Sequence, residues 1–194
     1  MQDKIQSLYK EIQTLLIKLV PDNWKSICLY ASVLEGKNGE MYFYYFPKRI
    51  IKANPINCYE IAEKYGIDEE IYNKNLRKLY EYIKELKKVE NNKWTNITIV
   101  MDLNFFTIEY HYNDLINSKY NDEQRRIIWR YKYLGIPLES LNLTNRLLVE
   151  GYKEEGKPVI HSEKLKINNQ EKQAETENNT KEEEMVARNP FLKI

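Results

Sequence analysis

Residues 94–112 read WTNITIVMDLNFFTIEYHY, and this stretch decides the fold. Trp94 to Met101 is rich in aromatic and β-branched residues, which suit a strand. Asp102-Leu103-Asn104 forms a turn. From Phe105 to Tyr112 the chain returns with a period of two. Phe106, Ile108, Tyr110 and Tyr112 share one face, and Thr107, Glu109 and His111 the other. An earlier pair has the same form. Ser26 to Leu34 places Ile27, Leu29, Ala31 and Val33 on one face, Glu35 to Gly39 makes a loop, and Glu40 to Phe46 returns. Its five consecutive aromatics, Tyr42 to Phe46, predict a sheet covered on both faces.

Helical periodicity surrounds the hairpins. Ile5, Leu8, Ile12, Leu15 and Leu19 form one apolar stripe, ended by Pro21. Tyr72, Leu76, Leu79, Ile83 and Leu86 mark a second helix over 68–89. Asp68 is its N-cap, and Glu69 and Glu70 lie at the positive end of its dipole. A third runs over 122–134, with Ile127, Ile128, Tyr131 and Leu134 inward and Gly135 closing it. A weaker helix is expected over 139–152, and the stretch after Pro47 is expected to be less regular. The fold class is α+β: an antiparallel sheet of two β-hairpins, packed by N-terminal, central and C-terminal helices. No strand-helix unit with a glycine-rich turn points to a doubly wound fold.

Composition sets the bounds. The chain has 194 residues, 30 basic and 29 acidic, for a net charge of +1. Residues 1–135 carry 21 basic against 18 acidic side chains, weak for a phosphate binder. No apolar run reaches the roughly 18 residues that cross a bilayer, so no membrane association is expected. The N-terminus lacks a signal-peptide pattern, and two cysteines suit a reducing compartment, so a cytoplasmic location is expected. Three segments are expected: a domain over 1–137, a helical extension over 138–162, and a disordered or solvated charged tail over 163–194. Gln, Glu, Asn, Lys and Thr dominate that tail, too polar to offset the entropy of ordering it. Its end, MVARNPFLKI, is either a docking motif or a frayed terminus.

No constellation for catalysis, cofactor binding or metal ligation emerges. The two histidines, His111 and His161, are far apart. His111 beside Glu109 suits an exposed strand position better than an acid-base pair. Cys28 and Cys58 have no neighbouring base, and no phosphate-binding loop or H-E-x-x-H occurs. Arg125, Arg126 and Arg130 with Trp129, together with Lys48, Arg49 and Lys52, form an alternative nucleic-acid surface. Asp122, one turn before Arg126, makes an ion-paired helix face the better reading. Sixteen Tyr and three Trp exceed what a core of this size needs and point to a protein-binding module.

The order of elements resembles the YezG-like immunity proteins, the family that includes the EsaG antitoxin. The resemblance rests on Pro21-x-x-Trp24, Trp94-Thr95-Asn96, Tyr110-x-Tyr112-Asn113-Asp114 and Trp129-x-Tyr131-x-x-Leu134-Gly135, in order across residues 5–137. It implies an antitoxin without enzymatic activity or cofactor. Its partner is a cognate toxin exported by type VII secretion, with a nuclease domain at its C-terminus. Direct nucleic-acid binding is not implied. On the aromatic-rich sheet, the expected contact residues are Tyr44, Tyr110, Tyr112, Asp114 and Trp129, with Asp102, Glu109 and Asp114 as an acidic patch. The near-neutral charge favours steric occlusion or distortion of the toxin over DNA mimicry.

Overall fold

A computed structural model of the chain describes residues 2–36, 38–48, 54–154 and 160–166. Helix α1 (Gln2–Leu19) leads into strand β1 (Trp24–Ser32) and its hairpin partner β2 (Met41–Pro47). A short β3 (Ile56–Asn57) precedes α2 (Cys58–Tyr65) and the long α3 (Glu69–Glu90). The second hairpin is β4 (Asn96–Asp102) and β5 (Phe105–His111). Helix α4 (Asp122–Leu134), a 3-10 turn at Leu138–Ser140, α5 (Leu143–Glu154) and strand β6 (Ile160–Lys166) complete it. The six strands are ordered β3-β2-β1-β4-β5-β6, each pair antiparallel. The α+β class holds, and pairing of β1 with β4 joins the two hairpins into one sheet.

The strand registers define two faces. Ile27, Leu29, Phe43, Tyr45, Ile97, Ile99, Met101, Phe106, Ile108 and Tyr110 share one face. The apolar stripes of α1 (Leu8, Ile12, Leu15, Leu16, Leu19) and α3 (Tyr72, Leu76, Leu79, Ile83, Leu86) are buried in the same core. Cys28, Tyr30, Tyr42, Tyr44, Thr98, Glu109 and His111 share the other face, which meets α4 through Trp129 and Tyr133. Both faces are therefore covered, as the double-sided aromatics of β2 require.

The helix ends follow local chemistry. The Asp68 carboxylate accepts from the Ile71 N–H at 2.8 Å, and Asn91, in the left-handed region at φ 49°, ends α3. Asn121 and Gln124 form a reciprocal capping box on α4, closed by Gly135 at φ 62°. One helix escaped the sequence reading. Helix α2 lies in the stretch expected to be less regular, although Asn57 caps its start and Gly66, at φ 63°, its end. Its eight residues are too few for a convincing apolar period.

The sheet also has two more strands than the two hairpins supply, the short β3 beside β2 and β6 beside β5. His161 to Lys166 carries the polar composition of a solvated segment, yet β6 pairs with β5 from His111↔Ile160 to Phe105↔Lys166. Backbone hydrogen bonds to an open strand edge do not depend on side-chain hydropathy. Glu163 adds an anchor, accepting from the Tyr9 hydroxyl at 2.9 Å. The expected tail beyond residue 166 lies outside the described residues.

The first hairpin turns through a tight spot at Gly39. A Cβ there would stand 2.0 Å from the Ser32 carbonyl oxygen and 2.2 Å from the Tyr80 hydroxyl, which itself donates to that carbonyl at 2.8 Å. Gly39→Ala should cost ~1–3 kcal/mol, the usual range for overpacking. Urea denaturation measures it, and an unchanged midpoint would contradict this packing.

Candidate partner-binding surface

Three of the seven expected contact residues belong to the interior. Tyr110 is 2% exposed. Its hydroxyl donates to Glu90 Oε1 at 2.7 Å and lies 2.7 Å from the Tyr9 hydroxyl, and Trp94 Nε1 donates to Glu90 Oε2 at 2.9 Å. Burial, the Tyr9 hydroxyl and the Glu90 carboxylate push the Tyr110 phenol well above its ordinary range. Trp129 is 5% exposed, its ring 5.2 Å from Tyr42 and 6.1 Å from Tyr30. Its indole N–H donates to Thr98 Oγ1 at 3.0 Å. Tyr44 is buried between Trp129 and the Arg130 guanidinium, which sits 5.5 Å from its ring centroid. Seven of the sixteen tyrosines that suggested a sticky surface are thus core. Tyr9, Tyr30, Tyr42, Tyr44, Tyr45, Tyr72 and Tyr110 are all buried.

The other four are accessible but do not converge. Asp102 is half-buried at the β4–β5 turn, where its carboxylate accepts from the N–H groups of Asn104 and Phe105 at 2.7 and 2.8 Å. Exposed Asp114 follows β5 and accepts from the N–H groups of Ile116 and Asn117, both at 3.0 Å. A seven-residue strand separates them, about 20 Å at the usual rise. Glu109 lies between but turns beneath α4, where it accepts from the Tyr133 hydroxyl at 2.5 Å. No acidic patch forms from the three. Tyr112 is 39% exposed, and Ile116, 52% exposed, lies nearby in the chain. Leu103, at the opposite end of the hairpin, is also exposed. An apolar residue in a tight turn, as in Asp102-Leu103-Asn104, is a sequence signal for a surface contact that the strand alternation hid.

His111 also departs from expectation. It sits on the α4 face and is 5% exposed. Burial, reinforced by Lys132, pushes its imidazole down to about 4, against a smaller upward pull from Glu109. Cys28 and Cys58 are buried free thiols, pushed up to about 12 by burial, and so are poor nucleophiles. Among the described residues, no group of three or more His, Cys, Asp or Glu could hold a metal ion.

The basic alternative disperses as well. Arg125 engages Asp122 and the Tyr120 carbonyl. Arg126 pairs with Glu40 at 2.8 Å and lies 4.9 Å from the Tyr42 ring centroid. Arg130 covers Tyr44. Lys48 is exposed, while Arg49 and Lys52 lie outside the described residues. Among the described residues, no helix is long and apolar enough to cross a membrane.

The family model described as "Immunity protein YezG-like" matches residues 5–147, from within α1 to within α5. The chain belongs to the YezG-like immunity protein family. It is 34% identical over 139 residues to the immunity protein YezG of Bacillus spizizenii, covering 69% of this chain and 84% of the relative. Its identity to the immunity protein YezG of Bacillus subtilis is 31% over 137 residues, or 68% of this chain and 89% of that one. The type VII secretion system protein EsaG of Staphylococcus aureus is 23% identical over 141 residues, covering 70% and 84%. The family match takes in β1 to β5 and α2 to α4 whole; β6 lies beyond it.

Proposed function

We propose that this chain is an antitoxin that binds and neutralises the C-terminal nuclease domain of a type VII secreted toxin in the producing cell's cytoplasm, without catalysis or cofactor. The observation that carries the reading is the family match from within α1 through α4. A relative named as a type VII secretion system protein supports the export route. The near-neutral charge and the dispersed carboxylates favour occlusion over mimicry of nucleic acid. The contact surface we place at the open end of the second hairpin, on Tyr112, Asp114 and Ile116. Tyr44 and Trp129 support it from within by holding the sheet and α4 together, and Tyr110 by tying β5 to α1 and α3 through Tyr9 and Glu90.

The test is co-expression with the C-terminal domain of a toxin encoded beside this gene. The two should co-purify, and cleavage of DNA or RNA by that domain should stop at equimolar antitoxin. Persistent cleavage and separate elution would refute the reading. Within the complex, Tyr112→Ala combined with Asp114→Asn should weaken binding by roughly 10- to 100-fold, as removal of a central contact does. The Asn keeps an oxygen for the 114–117 turn, so the fold should survive. Unchanged affinity in a folded double variant would move the surface elsewhere.

A further inference from the structure

The elbow between α2 and α3 carries a groove of about 850 Å³, lined by both helices and the turn joining them. That volume falls in the ~300–1,000 Å³ range of ligand sites, room for a few side chains of a partner segment. Its carboxylates are Glu63, Asp68 and Glu69, and no Lys or Arg lines it among the described residues. One Asp68 oxygen is taken up in capping α3. Glu63 and Glu69 are exposed and form no ion pair among the described residues.

Tyr59, Ile67 and Tyr72 make the apolar side of the groove. Tyr59 is 65% exposed although its hydroxyl donates to the Met41 carbonyl at 2.7 Å, so the fold holds its ring out towards solvent. Tyr72 is 4% exposed, and its buried hydroxyl has no hydrogen-bond partner among the described residues. A buried hydroxyl is seldom left so. Carboxylates beside aromatic rings suit a basic segment with an apolar side chain between its charges.

Residues 185–194, MVARNPFLKI, fit that description and lie outside the described residues. They carry Arg188 and Lys193 and no Asp or Glu, with Phe191 and Leu192 between the two charges. The run Glu182 to Glu184 has the groove's own sign and so bounds the segment. Eighteen residues, 167–184, join it to β6. Their full extension is up to ~60 Å. The β3 and β6 edges are only ~24 Å apart at ~4.8 Å per strand, and α2 follows β3 directly. Such a tether sets an effective concentration on the order of 1 mM, so a segment with a Kd of ~0.1 mM is about nine-tenths docked.

We propose that the groove between α2 and α3 receives residues 185–194 of the same chain, with Phe191 against Tyr59 and Tyr72 and with Arg188 and Lys193 against Glu63, Asp68 and Glu69. The contact is independent of toxin recognition, so it is tested on the purified chain alone, and its failure leaves the antitoxin reading untouched.

A nitroxide attached to Leu192→Cys reports the contact in the full-length chain. Cys28 and Cys58 are buried thiols pushed up to about 12, so the reagent spares them. The amide NMR signals of residues 63–73 should lose intensity while those of β5 keep theirs. Glu63→Lys combined with Glu69→Lys should restore the lost signals, and so should Arg188→Glu combined with Lys193→Glu. Joining the two pairs in one chain should broaden the signals again, because the charges then match in the opposite sense. Equal intensities throughout the chain overturn the proposal. So does selective broadening that survives either reversal. Broadening that is as strong with nitroxide and isotope on different copies also overturns it, since a second copy then supplies the segment. Should Glu63→Lys with Glu69→Lys lose its native far-ultraviolet circular dichroism, the reversal at Arg188 and Lys193 carries the test.

Discussion

Trp129→Ala will cost about 3–5 kcal/mol of folding stability, the range for truncating a buried aromatic. Several losses act together. The indole is 5% exposed and meets Tyr30, Tyr42, Tyr44 and Tyr133 at centroid distances of 5.2–6.3 Å. Truncation leaves a cavity in that cluster and removes the donor to the hydroxyl of fully buried Thr98. The melting temperature should fall by about 6–20 °C for a chain of this size. Trp129→Phe should retain most of the area and lose only the hydrogen bond, at about 1–3 kcal/mol. Thermal and urea unfolding of both variants decide the matter. Whatever fraction of Trp129→Ala stays folded should bind the toxin as the wild type does. A stable variant with impaired binding would return Trp129 to the contact surface.

Acid should destabilise the fold through His111. Burial first, and then the nearby Lys132, hold its imidazole at about 4, against an ordinary value of 6.5. The native state thus favours neutral His111, and the unfolded chain takes up a proton that the native chain refuses. Above about pH 7 neither form is protonated and the effect vanishes. As pH falls from 6.5 towards 4, stability should drop by about 3 kcal/mol from this one group. His111→Asn removes the titration and should flatten that part of the profile. Unfolding curves at pH 7.5 and 4.5 for wild type and variant give the comparison. Parallel losses in the two would show that His111 titrates normally.

Much of this architecture was legible because it rests on local repeats. The stripes of α1 and α3, the alternation of β5, the Asp68 cap and the Gly135 stop are each written within a few residues. Helix α2 was hidden because its caps enclose too short a window for periodicity. Strand β6 was hidden because a strand added at an edge is held by its backbone, and its side chains can remain those of a solvated segment. The candidate surface was legible only in part. Tyr112 and Asp114 are accessible as expected, while Tyr44, Tyr110 and Trp129 are not.

That last failure has a physical origin. Tyrosine joins a large apolar ring to a hydroxyl that needs a partner, so composition alone cannot separate an interface tyrosine from a core one. The sequence by itself determined the fold class, the order of the long helices and the two hairpins, and the family, because periodicity, capping and motif order are properties of neighbouring residues. Only the tertiary structure decided which aromatics are interior. Whether a hydroxyl finds Glu90, or a ring finds a guanidinium, depends on residues tens of positions away. The same holds for the groove between α2 and α3. Its carboxylates are near neighbours in the chain, but only the folding of one helix against the other brings Tyr59 and Tyr72 to line one groove with them.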